Sequence, residues 1–220
     1  MADHESPAPI DCPLHKHGAH ADHQRPFEDT GEYIALLERP DRASWQKPDD
    51  VVAALNLAGT ETVADIGAGS GYFTFRIAKT LPQGKVVAAD TDAEMIRHIQ
   101  HKAQAEGITN VEVKLIQPTD PGVPPAADIV FVCDVLHHVA DQRAWLATLV
   151  AEMKPAARLV LIEYKEGPLP KGPPESMKIP HAQLLKLADE AGLAMVQDRA
   201  DLLPYQHYMV FTKQLDSRRN

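Results

Sequence analysis

Cysteine is nearly absent from this 220-residue chain, which has only Cys12 and Cys133. Two cysteines in unrelated contexts cannot build a disulfide framework, so a reduced compartment is the expectation. Positive charge is also scarce: 22 Lys and Arg stand against 31 Asp and Glu, for a formal net charge of −9. A general nucleic-acid binder needs a basic surface to neutralise phosphates, and no basic run supplies one. No apolar run approaches the ~18 residues of a membrane span. The opening "MADHESPAPIDCPLHKHG" lacks both a basic n-region and an apolar h-region, so it does not read as a secretory leader, and the location expected is cytoplasmic.

What is present divides by composition. Residues 1–26 are rich in His, Pro and Asp and have no apolar period, so a flexible tail is expected there. His15, His17, His20 and His23 with Cys12 have no structural metal-site spacing, and no metal is assigned to them. Residues 27–58 carry a short helical pattern closed by Pro40. A second follows, "KPDDVVAALNLAG", with a proline and acids in its first turn and a closing glycine; together they form a helical cover. From 59 to 215 strand and helix signals alternate. "ETVADI", "GKVVAAD", "NVEVKLI", "ADIVFVCD" and "ARLVLIEYK" read as strands, separated by helices such as "GYFTFRIAKTL" and "DAEMIRHIQHKAQAEG". Such alternation predicts a parallel sheet with helices on both faces. After the helix "HAQLLKLADEAG", two strand-like runs follow with only a turn between them and must pair antiparallel.

The most informative stretch is "VADIGAGSGYFTF", in which an acid and three alternating glycines join a strand to a helix. Such a turn lets a ligand approach the backbone without Cβ interference, beside free helix N–H groups. The dinucleotide fingerprint wants a glycine or alanine where Tyr72 stands, and the phosphate loop wants a Lys and Ser/Thr that are missing here. Asp65 precedes the glycines, and Asp90 ends the next strand, where an acid can accept both hydroxyls of a ribose.

Taken in order, "VADIGAGSG", "VVAADTDAEMI", "ADIVFVCDVLHHV" and "EMKPAARLVLIEY" resemble a class I S-adenosylmethionine-dependent methyltransferase over about residues 47–213. The resemblance implies a doubly wound, seven-stranded, mostly parallel sheet with an antiparallel last strand, S-adenosylmethionine as cosubstrate and a small-molecule methyl acceptor as partner. It also implies site roles: Gly67, Ala68 and Gly69 along the methionine part with Asp65 beneath, Asp90 on the ribose, Thr91 along the adenine, and Asp134 lining the methyl-transfer cleft. Near the adenine amino group it leaves Gln117, Thr119 or Asp120. Ala156 and Ala157 depart from the two glycines common in that family's turn.

A sulfonium methyl is already activated, so the protein chiefly has to hold the acceptor in line and exclude water. An acceptor hydroxyl, amine or thiol is helped by a base, and the histidines of "DVLHHV", His138 before His137, are the catalytic candidates; capping of the next helix is the plainer role for both. Tyr33, Trp45, Tyr164, Tyr205 and His207 are candidate acceptor-lining residues, and the proline-rich connection "GPLPKGPPESMKIP" has the length of a lid. Three other readings compete: an NAD-dependent reductase, against which Tyr72 counts, a catalytically silent cofactor-binding sensor, and a metal-handling protein using the His-rich tail. No motif specifies an oligomeric state.

Overall fold

The computed structural model describes residues 30–214; the expected His-rich tail, the start of the cover and residue 215 lie outside them. The helical cover is α1 (Thr30–Leu37), α2 (Arg42–Gln46) and α3 (Pro48–Ala54). Pro40 separates the first two, and Lys47, in the left-handed region at φ 42°, turns the chain between α2 and α3. Alternation then follows as expected: β1 (Thr62–Ile66), α4 (Thr74–Lys79), β2 (Lys85–Asp90), α5 (Ala93–Ala105), β3 (Val111–Leu115), β4 (Ile129–Cys133), α6 (Gln142–Glu152), β5 (Arg158–Tyr164), α7 (His181–Glu190), β6 (Leu193–Asp198) and β7 (Gln206–Lys213). The helix after the glycines begins three residues later than "GYFTFRIAKTL" suggests, because Gly71 sits at φ 81° and turns occupy the intervening positions.

All seven strands form one sheet in the order β3-β2-β1-β4-β5-β7-β6. β1 to β5 are parallel, and β7 runs antiparallel between β5 and β6. The central strands are near-continuous apolar runs because both sheet faces are covered. Alternate residues serve opposite faces. Ala64, Val130, Leu159 and Phe211 meet Trp145, Leu149 and Leu184 of α6 and α7. Val63, Phe131, Val160 and Val210 meet Val51 of α3, Leu55 just after it and Ile77 of α4. Side-chain caps start two helices: Asp92 accepts from the Glu94 amide at 2.8 Å, and Asp141 from the Ala144 amide at 3.0 Å. Ala156 and Ala157 make their turn with negative φ, so glycine is not needed there.

The sheet order reverses between β1 and β4, and the carboxyl ends of β1, β2, β4 and β5 all open at that edge. Open α/β sheets bind ligands at such a switch point. Among the described residues, no helix is long and apolar enough to cross a membrane.

Candidate active site

The glycine loop leaves β1 with Gly67, Gly69 and Gly71 at φ 74°, 56° and 81°. At two of these positions a side chain would crowd a neighbour, most severely at Gly67. A Cβ on Gly67 would stand 2.3 Å from a methyl of Val135, and one on Gly69 would stand 3.2 Å from Leu37 of the cover. The amides of Gly67 and Ala68 both donate to the Ala89 carbonyl, at 2.8 and 3.0 Å, tying the loop to the end of β2.

Asp90 closes β2, and its two oxygens are fixed separately. Oδ2 accepts from the Gly69 amide at 2.8 Å, and Oδ1 from the Asp92 amide at 2.9 Å. A carboxylate has about four lone-pair sites, so two remain for a diol. Burial pushes its carboxyl above the ordinary range, against the pull of those amides. Thr91 beside it is exposed. This arrangement fits an adenosyl group: a bare backbone, then an aimed carboxylate with spare capacity. Beyond β3, Gln117, Thr119 and Asp120 are exposed, and Asp120 accepts from the Gly122 amide within its own turn.

Asp65 is buried beneath the loop and accepts from the Thr74 hydroxyl at 2.5 Å. Burial, opposed by that bond, raises its carboxyl from 3.8 to about 6. The folded state therefore binds this proton more tightly than the unfolded chain. Its contribution to stability falls as pH rises from about 4 through 6, and the full cost of the buried charge is present above that. Asp65→Asn is therefore expected to raise the melting temperature at pH 7.5 by roughly 5 °C, from a cost on the order of 2 kcal/mol, and to have little effect at pH 4. Thermal denaturation at both pH values checks this; equal effects at both would place the cause elsewhere.

At the end of β4, Asp134 sits in the left-handed region at φ 59° and is gripped by two amides. Gln46 Nε2 donates to it at 2.9 Å, and Gln206 Nε2 at 2.6 and 2.8 Å. Burial raises its carboxyl to about 6, with the Glu163 charge adding to the effect. Gln46 follows Trp45 in α2, and Gln206 follows Tyr205 at the start of β7. The aromatic partner of each lies beside the other, the Trp45 and Tyr205 rings being 6.2 Å apart, with Tyr164 6.3 Å from Trp45. Two buried polar atoms in this group have no partner, Trp45 Nε1 and Gln206 Oε1. An unpaired buried donor and acceptor are costly until a ligand or water meets them.

The structure separates the two histidines. His137 is buried, and its Nδ1 lies 2.6 Å from Glu163 Oε2 of β5. Burial acts to lower the His137 pKa, but the Glu163 charge and hydrogen bond outweigh it and hold the value above 6.5. His138 is exposed, with its ring 4.1 Å from that of His137. Cys133 is a half-buried strand residue that receives a Gln46 hydrogen bond, and burial pushes its thiol up. Trp45, Tyr164 and Tyr205 come together as a group. His207 instead turns to Glu166 at 3.2 Å, and Tyr33 is half-buried on α1. Lys171, in the connection after β5, reaches Asp41 of the cover at 2.9 Å. Among the described residues, no group of three or more His, Cys, Asp or Glu is placed to hold a metal ion.

Sequence reading missed Gln46, Gln206 and Glu163. Only Glu163 carried a signal, as an acid near the end of an otherwise apolar strand.

A doubly wound sheet with a glycine turn at its switch point and an aimed acid on the next strand defines a nucleoside-binding α/β enzyme fold. Residues 64–159 match the family model described as a methyltransferase domain. A solved S-adenosylmethionine-dependent methyltransferase from Aquifex aeolicus superposes with TM-score 0.77 at 25% identity, covering 84% of this chain and 98% of that one. An O-methyltransferase from neocarzinostatin biosynthesis, solved with S-adenosylhomocysteine and 1,4-dihydroxy-2-naphthoic acid, shares the fold. Its TM-score is 0.68 at 19% identity, over 85% of this chain and 61% of that one. Trans-aconitate 2-methyltransferase from Azoarcus sp. (strain BH72) is 25% identical over 136 residues, 62% of this chain and 50% of that protein. The chain thus spans about half the length of that curated relative. These matches identify residues 64–159 as a methyltransferase domain of the class I S-adenosylmethionine-dependent type, for which S-adenosylmethionine is the cosubstrate.

Proposed function

We propose that this protein transfers a methyl group from S-adenosylmethionine to a small molecule bound among Trp45, Tyr164, Tyr205 and Asp134. The observation that carries this reading is Asp90, pinned by the Gly69 and Asp92 amides at the switch point with two acceptor sites to spare. Gly67, Ala68 and Gly69 line the methionine part of the cofactor, Asp65 supports the loop from below, and Thr91 flanks the adenine. The catalytic unit is 59–215, and 27–58 covers its cleft. Bound cofactor supplies an electrophilic methyl; the chain's residues hold the acceptor in line, exclude water and take its proton.

For the proton, His137 is favoured over His138. Its Nδ1 is fixed by Glu163, the arrangement of a base oriented by a third group. The spare Trp45 N–H and Gln206 carbonyl suit an acceptor that presents a hydrogen-bond acceptor and a donor together. Such chemistry includes hydroxy acids and carboxylic acids, and trans-aconitate enters the candidate set through the relative that bears its name.

Mass spectrometry of reactions with S-adenosylmethionine and a panel of trans-aconitate, hydroxylated aromatic acids, amines and thiols tests this. Mono-methylated product from at least one panel member is the expected result. Tight binding of S-adenosylhomocysteine with no product from any acceptor would favour the sensor reading.

A further inference from the structure

Trp45, Tyr164 and Gln206 are 7%, 9% and 0% exposed, so the two unpartnered atoms in this group, Trp45 Nε1 and Gln206 Oε1, are shut away from solvent. A molecule that pairs with them has to part something first. Three segments supply the group: α2, the end of β5 and the start of β7. The connection from β5 to α7, residues 165–180, touches the last residue of β5 and the residue before α2.

The base of this connection is fastened. The Lys165 amide donates to the Tyr205 carbonyl at 2.9 Å. The Gly167 amide donates to Glu175 Oε1 at 2.8 Å, while Lys178 Nζ donates to the Gly167 carbonyl and to Glu175 Oε2. Loops closed in this way by their own side chains are compact units. Between these ties, Pro168, Pro170, Pro173 and Pro174 each fix φ and stiffen the tip.

Two contacts bring the tip to the buried group. Gly172, at φ 116°, faces the Tyr164 ring, and a Cβ there would stand 2.6 Å from both Cδ1 and Cε1. Glycine alone lets the backbone come this near in that conformation. Lys171 beside it reaches Asp41, just before α2, at 2.9 Å. Trp45 is on α2 with its ring 6.3 Å from that of Tyr164, so both contacts flank the same ring pair. The Lys171 and Asp41 side chains are 25% and 48% exposed, and an ion pair so open to water contributes little and parts readily.

We propose that the tip of this connection is a gate on the acceptor compartment, with Lys171–Asp41 as its latch and Gly172 as the residue that lets it seat on Tyr164. This rests on the reading that Trp45, Tyr164 and Tyr205 hold the acceptor. A stiff tip on a fastened base swings without unravelling, and its swing opens the Trp45 N–H to an incoming molecule. A side chain at position 172 would hold the tip off the ring and leave the compartment ajar.

Hydrogen exchange of the Trp45 indole N–H reads the gate on the full chain with no acceptor present. A buried N–H exchanges in proportion to the population in which it is open. The chain has two tryptophans, and Trp145→Phe assigns their NMR signals. Lys171→Glu, which faces Asp41 with a like charge, is expected to speed Trp45 exchange about fivefold, the size of effect one exposed ion pair supports. Gly172→Ala is expected to speed it at least as much, and Lys171→Arg to leave it as it was. The Trp145 rate and the affinity for S-adenosylhomocysteine are expected to stay within about twofold in all three variants. Unchanged Trp45 exchange in Lys171→Glu and Gly172→Ala would overturn the proposal. So would equal acceleration at Trp145, which marks general loosening, or a matching loss of S-adenosylhomocysteine affinity, which would put the tip over the cofactor instead. Absence of product from every acceptor would sink the proposed function alone, because the exchange rates still decide whether the tip opens.

Discussion

Asp90→Ala is expected to lower affinity for S-adenosylhomocysteine about 100-fold. A hydrogen bond to a charged acceptor contributes roughly 1.5–3 kcal/mol, and Asp90 has two acceptor sites for a ribose diol once the Gly69 and Asp92 amides are counted. Losing both ribose contacts costs about 3 kcal/mol, hence the factor of 100. The same change orphans the Gly69 and Asp92 amides, so the melting temperature falls as well. Asp90→Asn separates these effects. It keeps one amide acceptor and the side-chain volume but not the charge, so it is expected to lose about 10-fold in affinity with a smaller thermal penalty. Calorimetry and thermal denaturation on the two variants provide the check. A folded Asp90→Ala protein with unaltered affinity would remove the central support of the proposed function.

Once an acceptor is in hand, His137→Ala is expected to lower kcat about 100-fold or more, the usual contribution of a positioned base, whereas His138→Ala lowers it less than about 3-fold. The two differ because Glu163 orients His137, while His138 is exposed. The pH profile carries an independent signature. A base works when unprotonated, so the rate should rise with pH through the His137 value, which Glu163 holds above 6.5. Glu163→Gln removes the charge that holds the proton, and the inflection should move to lower pH. Stability moves with the opposite sense of pH. Because the folded pKa of His137 is raised, the His137–Glu163 pair stabilises fully below the unfolded value and loses that contribution as pH rises through the folded value. A rate profile unmoved by Glu163→Gln, with His138→Ala the more damaging variant, would transfer the role to the exposed histidine.

Much of this architecture was readable before any coordinates, for a definite reason. Strands covered on both faces must be apolar throughout, so "TVADI", "IVFVC" and "RLVLIEY" announce themselves, and the helices between them show a different period. Asp65 and Asp90 were also visible, because an acid ending such a run beside a glycine turn has few reasons to be there. The start of α4 was misplaced by three residues, since Gly71 in the left-handed region delays the helix in a way composition does not show.

The amide pair on Asp134 was not readable at all. Gln46 and Gln206 are 88 and 72 residues from it, and a lone glutamine on a five-residue helix or at a strand's first position has no periodic signature. Local order and the acid that ends β2 follow from patterns a few residues long, because backbone geometry and burial act locally. The group around Asp134 exists only because α2, the tip of β4 and the start of β7 meet at one sheet edge. Long-range packing chose those neighbours.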